Sequence, residues 1–206
     1  MINYVNFKRI SDLSASILLF IFLSPIFIII SVLILFFDGL PIFYKQKRIG
    51  LNGNLFKMYK FRTMIRNADA DPLGYMCYEN DKRITFLGRF LRKYSLDELP
   101  QLFNIISGKM SFVGPRPAVF DEFERENLPI NLNKYIHLRN KVKPGLSGLV
   151  QIYGRNELSW KEKLVYDTFY IKKVKISNLN YFLIDLYIIL RTFLIIFSSR
   201  GEFDNE

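Results

Sequence analysis

The feature that most limits what this chain can become is a run of 25 residues without a charge, Leu13 to Phe37, bounded by Asp12 and Asp38. As one straight helix it would reach roughly 37 Å, enough for a hydrocarbon core of about 30 Å. It is too long for the apolar region of a cleavable signal peptide, and no small-x-small site closes it. Ser24-Pro25 stands mid-run, where a proline removes one backbone hydrogen bond and kinks a helix. Both flanks are basic, with Lys8 and Arg9 before the run and Lys45, Lys47 and Arg48 after it. Since such residues keep to the cytoplasmic side, two topologies stand open: a kinked single pass, and a hairpin that enters and leaves on one face.

Half of the 206 residues are hydrophobic, yet 23% are charged. The balance is too charged for a polytopic membrane protein and apolar for a soluble one, with a length suited to one domain. A net charge of +10 calls for an anionic partner: nucleic acid, lipid head groups or phosphorylated small molecules. Cys77 and His137 are each the only residue of their kind, which excludes an internal disulfide, a thiolate metal cluster and a multi-histidine site. Any catalysis therefore rests on carboxylates, lysines and arginines, with room for a hard, oxygen-liganded cation.

Past Asp38, the runs Pro41 to Arg48 and Leu55 to Met64 flank Asn52-Gly53, a hairpin signal; the other reading of either run is an irregular segment lying along the membrane. Asn67 to Asn80 reads as a loop. Ile84 to Tyr94 has helical spacing, Ser95 to Ser107 reads as a further helix, and Val119 to Asn140 as polar and helical in part. Tyr181 to Phe197 is apolar but carries Asp185 and Arg191, which disfavours spanning and favours a helix in the membrane interface.

The most informative stretch is Ser95-Leu96-Asp97-Glu98-Leu99-Pro100. Pro100 belongs in a first helical turn, which predicts a helix starting at or just before Asp97. Two adjacent carboxylates at a helix start suit a nucleophile for phosphorus, provided cations stand nearby. A capping box of Ser95 with Glu98, or an N-cap at Asp97, accounts for the same residues structurally. Arg83, Arg89, Arg92 and Lys93 precede the pair, and Lys109 and Arg116 follow. Pro115-Arg116-Pro117 holds one guanidinium on a stiff backbone, as a phosphate clamp or as a rigid turn. Lys57, Lys60 and Arg62 form another cationic group, suited to phosphate or to lipid head groups.

Taken together these pieces resemble the bacterial sugar transferase family, the monotopic phosphoglycosyl transferases. The resemblance is carried by Lys8-Arg9 with Asp12; Ser24-Pro25; Gln46, Arg48 and Gly50; Lys60 to Met64; Asp81 to Thr85; Leu91-Arg92; Ser95 to Leu102; Gly108 to Ser111; Val113 to Pro117; and Lys143 to Gly148. It implies an α+β, mainly helical fold. A re-entrant membrane helix over 1–40, broken at Ser24-Pro25, would precede a catalytic domain over 41–206 with interfacial amphipathic helices and a small cytosolic globular part. It implies Asp97 as nucleophile, Glu98 as its partner, and Mg²⁺ held by both. It points to Arg116 for phosphate, with Lys60, Arg62, Arg83 and Arg92 as further substrate-binding cations. The implied reaction moves a phospho-sugar from a UDP-sugar to polyprenyl phosphate with release of UMP, on the cytoplasmic leaflet of the bacterial inner membrane. The length resembles catalytic-domain-only members. Lys109 and Leu149 depart from common family residues at their positions, and Gly154-Arg155-Asn156 with Ser159-Trp160 leans toward N-acetylated, di-amino sugars. A homodimer is left open and no nucleic-acid partner is expected. The contrasting readings are a non-catalytic basic membrane adaptor, which leaves the acid pair unexplained, and a nucleic-acid binder, which rests on net charge alone.

Overall fold

The computed structural model describes residues 4–68, 81–154, 157–176 and 178–198. One helix, α1 (Tyr4–Phe37), takes in the whole uncharged run with Pro25 inside it. Among the described residues it is the one helix long and apolar enough to cross a membrane. Phe20, Leu23, Phe27, Ile30 and Ile34, spaced alternately three and four apart, form its packed stripe. Elsewhere on its surface Leu18, Phe22, Ile28 and Phe36 are exposed. An apolar patch that large needs a lipid or protein cover.

Pro25 has no N–H for the Ile21 carbonyl four residues back. The Ser24 hydroxyl donates to that carbonyl at 2.7 Å instead. The Ser-Pro pair thus carries its own repair, which matters where no water can serve.

A hairpin follows, β1 (Phe43–Ile49) antiparallel to β2 (Leu55–Phe61), in the register Phe43↔Phe61 through Ile49↔Leu55. Asn52 and Gly53 take the positive φ values, 57° and 80°, that its turn requires. One face (Phe56, Met58 and Lys60 opposite Arg48, Gln46 and Tyr44) turns inward, while Lys45, Lys47 and Lys57 are exposed on the other.

Helix α2 (Phe86–Lys93) is capped by Thr85, whose hydroxyl accepts from Gly88 N. A Cβ on Gly88 would stand 2.1 Å from the Thr63 carbonyl, so helix and strand end meet backbone to backbone there. A 3₁₀ turn (Leu96–Glu98) leads into α3 (Gln101–Ile106). The helix expected from Ser95 is therefore shorter, and the acid pair precedes it. Ser95 adopts a left-handed conformation (φ 54°) without a side-chain cap, so no capping box forms.

The remaining elements are β3 (Ser111–Val113), α4 (Glu122–Arg125), α5 (Asn133–Arg139), β4 (Gly145–Ser147), α6 (Leu149–Tyr153), α7 (Trp160–Ile176) and α8 (Asn178–Phe197). The α+β, mainly helical class expected from the sequence holds, with two small two-stranded sheets among the described residues. Strands β3 and β4 pair in parallel, with Ser111 opposite Gly145 and Val113 opposite Ser147. The approach is close: a Cβ on Gly145 would lie 2.1 Å from Gly114 N. His137 is exposed on α5, as its polar surroundings suggest.

The core of α1, the hairpin, α2 and α3 is continuous across residue 40. Both ends of α1 are tied into the same body. Arg9 donates to the Ile105 and Ile106 carbonyls at 2.7 and 2.8 Å, closing the C-terminal end of α3. Lys8 pairs with the buried Asp185 of α8, which also accepts from the Tyr170 hydroxyl at 2.8 Å. At the other end Arg62 donates to the Asp38 and Gly39 carbonyls, each at 2.6 Å, and Thr85 donates to the Asp38 carboxylate at 3.0 Å.

The Ser-Pro repair predicts a non-additive pair. Ser24→Ala should lower stability in lipid by about 1–3 kcal/mol by stranding the Ile21 carbonyl. Adding Pro25→Ala should recover most of that loss by restoring the backbone donor. Thermal unfolding of both variants in nanodiscs measures it; equal losses in the single and double variants would refute the repair.

Candidate active site

Lys60, at the end of β2, reaches across the 3₁₀ turn to both acids. Its Nζ lies 3.2 Å from Asp97 Oδ2 and 2.8 Å from Glu98 Oε1. Asp97 is only 4% exposed, so its charge depends on neighbours rather than on water. The turn is anchored on α2 through Ser95 N donating to the Arg92 carbonyl at 3.0 Å. Arg92 in turn donates from Nε to Thr63 Oγ1 at 2.8 Å, across the contact that Gly88 allows.

Arg48 continues the inward face of the hairpin. Its Nε donates to the Gln46 side chain at 2.9 Å and its Nη1 to the Pro117 carbonyl at 2.8 Å. Burial, then the charge of Arg116, push the Arg48 guanidinium down to about 10, against the opposing pull of Glu122, Tyr44 and Glu98. Arg48 therefore feels the charges of both Arg116 and Glu98.

Pro115-Arg116-Pro117 is clamped along its backbone. The Pro115 carbonyl accepts from Gly145 N at 2.9 Å, that of Arg116 from Arg139 Nη2, and that of Pro117 from Arg48. The Arg116 side chain is half-buried and opens on a cleft of about 50 Å³ lined also by Arg48, Glu122, Arg139, Trp160, Lys163 and Asp167. Arg139 pairs with Asp167 at 2.8 Å. Burial pushes the Asp167 carboxyl up, opposed by Arg139. Burial also lowers Lys163, which lies over the Trp160 ring, 5.1 Å from its centre. The cleft holds more cationic than anionic groups, which suits a phosphate.

The residues singled out from the sequence do not all meet. Lys60, Asp97 and Glu98 meet directly, and Arg116 lines a cleft with Arg48. Arg62 is buried against the end of α1, with Nε and Nη1 lacking an acceptor among the described residues. Arg83 binds Asp81 through Nε and Nη2 and donates to the Ala68 carbonyl at 3.2 Å. Arg48, Gln46, Lys163, Arg139 and Asp167 are further residues of the site. The hairpin register could have found Arg48, since it shares a strand face with Lys60. No local signal marks Arg139 and Asp167, which lie 28 residues apart in sequence.

Comparison with known proteins decides the family. The bacterial sugar transferase model matches residues 3–199. The chain belongs to the bacterial sugar transferase family. It is 41% identical to the exopolysaccharide production protein ExoY of Sinorhizobium fredii, over 95% of this chain and 88% of that one. It is 37% identical to the undecaprenyl-phosphate galactose phosphotransferase of Salmonella typhimurium, over 95% of this chain but 41% of that enzyme. It is 40% identical to the UDP-glucose:undecaprenyl-phosphate glucose-1-phosphate transferase of Klebsiella pneumoniae, over 83% of this chain and 37% of that one. A transferase is therefore the reading to carry forward, and the adaptor falls away.

The hydrogen bonds from Arg83, outweighing burial, hold the Asp81 carboxyl below its ordinary range. Its folded value lies below its unfolded one, so the pair stabilises the fold above about pH 4 and the contribution is lost as pH falls through the folded value. Melting temperature should therefore fall on acidification toward about pH 3. Asp81→Asn, with no carboxyl to protonate, should start lower and show a shallower acid slope; identical slopes would exclude Asp81 as the titrating group.

Proposed function

We propose that this chain transfers a phospho-sugar from a UDP-sugar to polyprenyl (undecaprenyl) phosphate, releasing UMP, as a first membrane step of glycan assembly. The observation that carries the reading is the buried Asp97 beside Glu98, both held by Lys60, in a fold that also presents a cationic cleft lined by Arg48 and Arg116. The names of the Salmonella and Klebsiella relatives describe the same class of reaction.

Asp97 attacks the phosphorus next to the sugar; the bond from that phosphorus to the bridging oxygen of UMP breaks, and UMP departs with the electron pair. The sugar phosphate then rests on Asp97 as an acyl-phosphate. A phosphate oxygen of the lipid attacks the same phosphorus, and the Asp97 carboxylate is regenerated as polyprenyl diphosphate-sugar forms. Lys60, with its ammonium against both acids, offsets their mutual repulsion. It can follow the negative charge as that charge moves onto phosphate. Arg116, with its backbone already clamped, offers a cation to the transferred group with little ordering left to do. Glu98 orients Lys60 and Asp97 through their shared ammonium.

The pair also fits Mg²⁺: two carboxylates suffice when phosphate oxygens and water complete the shell, as this ion commonly arranges. Asp97 and Glu98 would hold it, and it would neutralise charge on the diphosphate.

For topology we favour the hairpin, in which α1 enters the cytoplasmic leaflet and returns. Arg9 and Asp38 are held by one small body, which supports the hairpin over a single pass. Helix α2, with exposed Phe86 and Phe90 beside exposed Arg89 and Lys93, and α8, with Phe182, Leu186, Leu190 and Phe193 exposed, suit the interface. This placement brings the site to head-group level, where a lipid phosphate and a cytosolic UDP-sugar meet. The lean toward N-acetylated sugars rested partly on Arg155 and Asn156, which lie outside the described residues, so glucose and galactose belong in any substrate panel.

Asp97→Asn should abolish UMP release across a panel of UDP-sugars while leaving the melting temperature within a few degrees of wild type. With polyprenyl phosphate withheld, radiolabelled sugar should remain on the wild-type protein and be absent from the variant. Intersecting double-reciprocal lines with no trapped label would exclude the covalent route. Arg116→Ala should lower turnover about a hundredfold or more with little loss of stability; parallel losses of both would assign Arg116 a folding role.

A further inference from the structure

Arg139 is 4% exposed at the end of α5 and bonds in two directions at once. Its Nε donates to Asp167 on α7 at 2.8 Å, and its Nη2 donates to the carbonyl of Arg116. Its guanidinium carbon lies 5.7 Å from the Phe123 ring centre and 5.5 Å from that of Trp160. Those rings meet edge to face at 4.8 Å. A buried ion pair needs only Asp167 to satisfy the arginine's charge. The second arm is not needed for that, and it goes to the backbone of the residue placed at the substrate phosphate.

We propose that Arg139 is a positioning residue for the transfer reaction, acting through the Arg116 backbone. The inference rests on the phosphate role given to Arg116 above. The guanidinium fork is planar and fixed, so gripping Asp167 fixes where its other arm points. The aromatic pair limits tilt of the plane. The carbonyls on either side of Arg116's own are held by Gly145 N and Arg48, so Arg139 supplies the central hold. Helix α7, through Asp167, thus sets the aim of a side chain on another segment. A lysine at 139 keeps the charge beside Asp167 but lacks the fixed fork that reaches both partners.

The test is a double-mutant cycle on UMP release with Arg139→Lys and Arg116→Ala. Arg139→Lys alone should lower kcat by about tenfold to a hundredfold, the cost of a misplaced phosphate contact, with the KM for polyprenyl phosphate unchanged. In the Arg116→Ala background the same change should cost less than about twofold, because its route of action is gone. Equal fold losses in both backgrounds overturn the inference and leave the proposed function standing. If Arg116→Ala has wild-type turnover, or the wild type releases no UMP, the function reading fails and takes this one with it. Should Arg139→Lys not fold, Arg139→Gln combined with Asp167→Asn removes both charges without stranding either. It also removes the guanidinium arm, and the cycle is read in the same way.

Discussion

Everything in this molecule is arranged around a helix that must satisfy two solvents. One stripe of α1 closes the core of the globular body through Phe27, Ile30 and Ile34, while Phe22, Ile28 and Phe36 face outward. The stripe that packs and the face that does not are both apolar, so polarity does not separate them; spacing does. The charges that flank the run are consequently used inside the protein. Arg9 closes α3, Lys8 neutralises Asp185, and Asp12 accepts from Phe112 N at 3.4 Å. Helix α1 and the element that follows the acid pair share one core.

Backbone contact supplies the precision that long cationic side chains lack by themselves. Gly88 lets α2 touch the end of β2, which fixes Arg92 on Thr63. Gly114 and Gly145 let β3 and β4 close, which seats the segment ending in Pro117. Arg116 can then project from a chain whose carbonyls are all engaged. In the proposed reaction such preorganisation would lower the cost of gathering charge around a diphosphate, whose oxygens repel one another and any attacking carboxylate.

Much of this was legible in one dimension. Asn52-Gly53 marked the hairpin because its turn needs positive φ at both positions, and Ser24-Pro25 marked the one weak point of α1 because proline lacks an N–H. The pair Asp97-Glu98 stood out because two adjacent carboxylates precede Pro100 amid several cations. The helix start there was misplaced, since Ser95 turns left-handed and Leu96–Glu98 forms a 3₁₀ turn before Pro100. Pro100 was read as marking the first helical turn around the acids, whereas α3 begins just after it. Of the basic residues, sequence could gather the set but could not divide it. Lys60 and Arg62 are two apart, yet one meets the acids and the other the end of α1.

What the sequence determined by itself was periodic or local: the apolar span of α1, the hairpin turn, the stiff Pro115-Arg116-Pro117 segment, and the acid pair with its excess of nearby cations. These follow from backbone stereochemistry and from side-chain spacing, which act over a few residues. Only the tertiary structure decided which cation serves which anion. Lys60 reaches Asp97 and Glu98 because β2 passes the 3₁₀ turn, and Arg139 reaches both Asp167 and the Arg116 carbonyl because α5 packs on α7. Charge attracts every opposite charge alike, so the choice of partner falls to the packing of apolar surfaces that brings distant segments within hydrogen-bond reach.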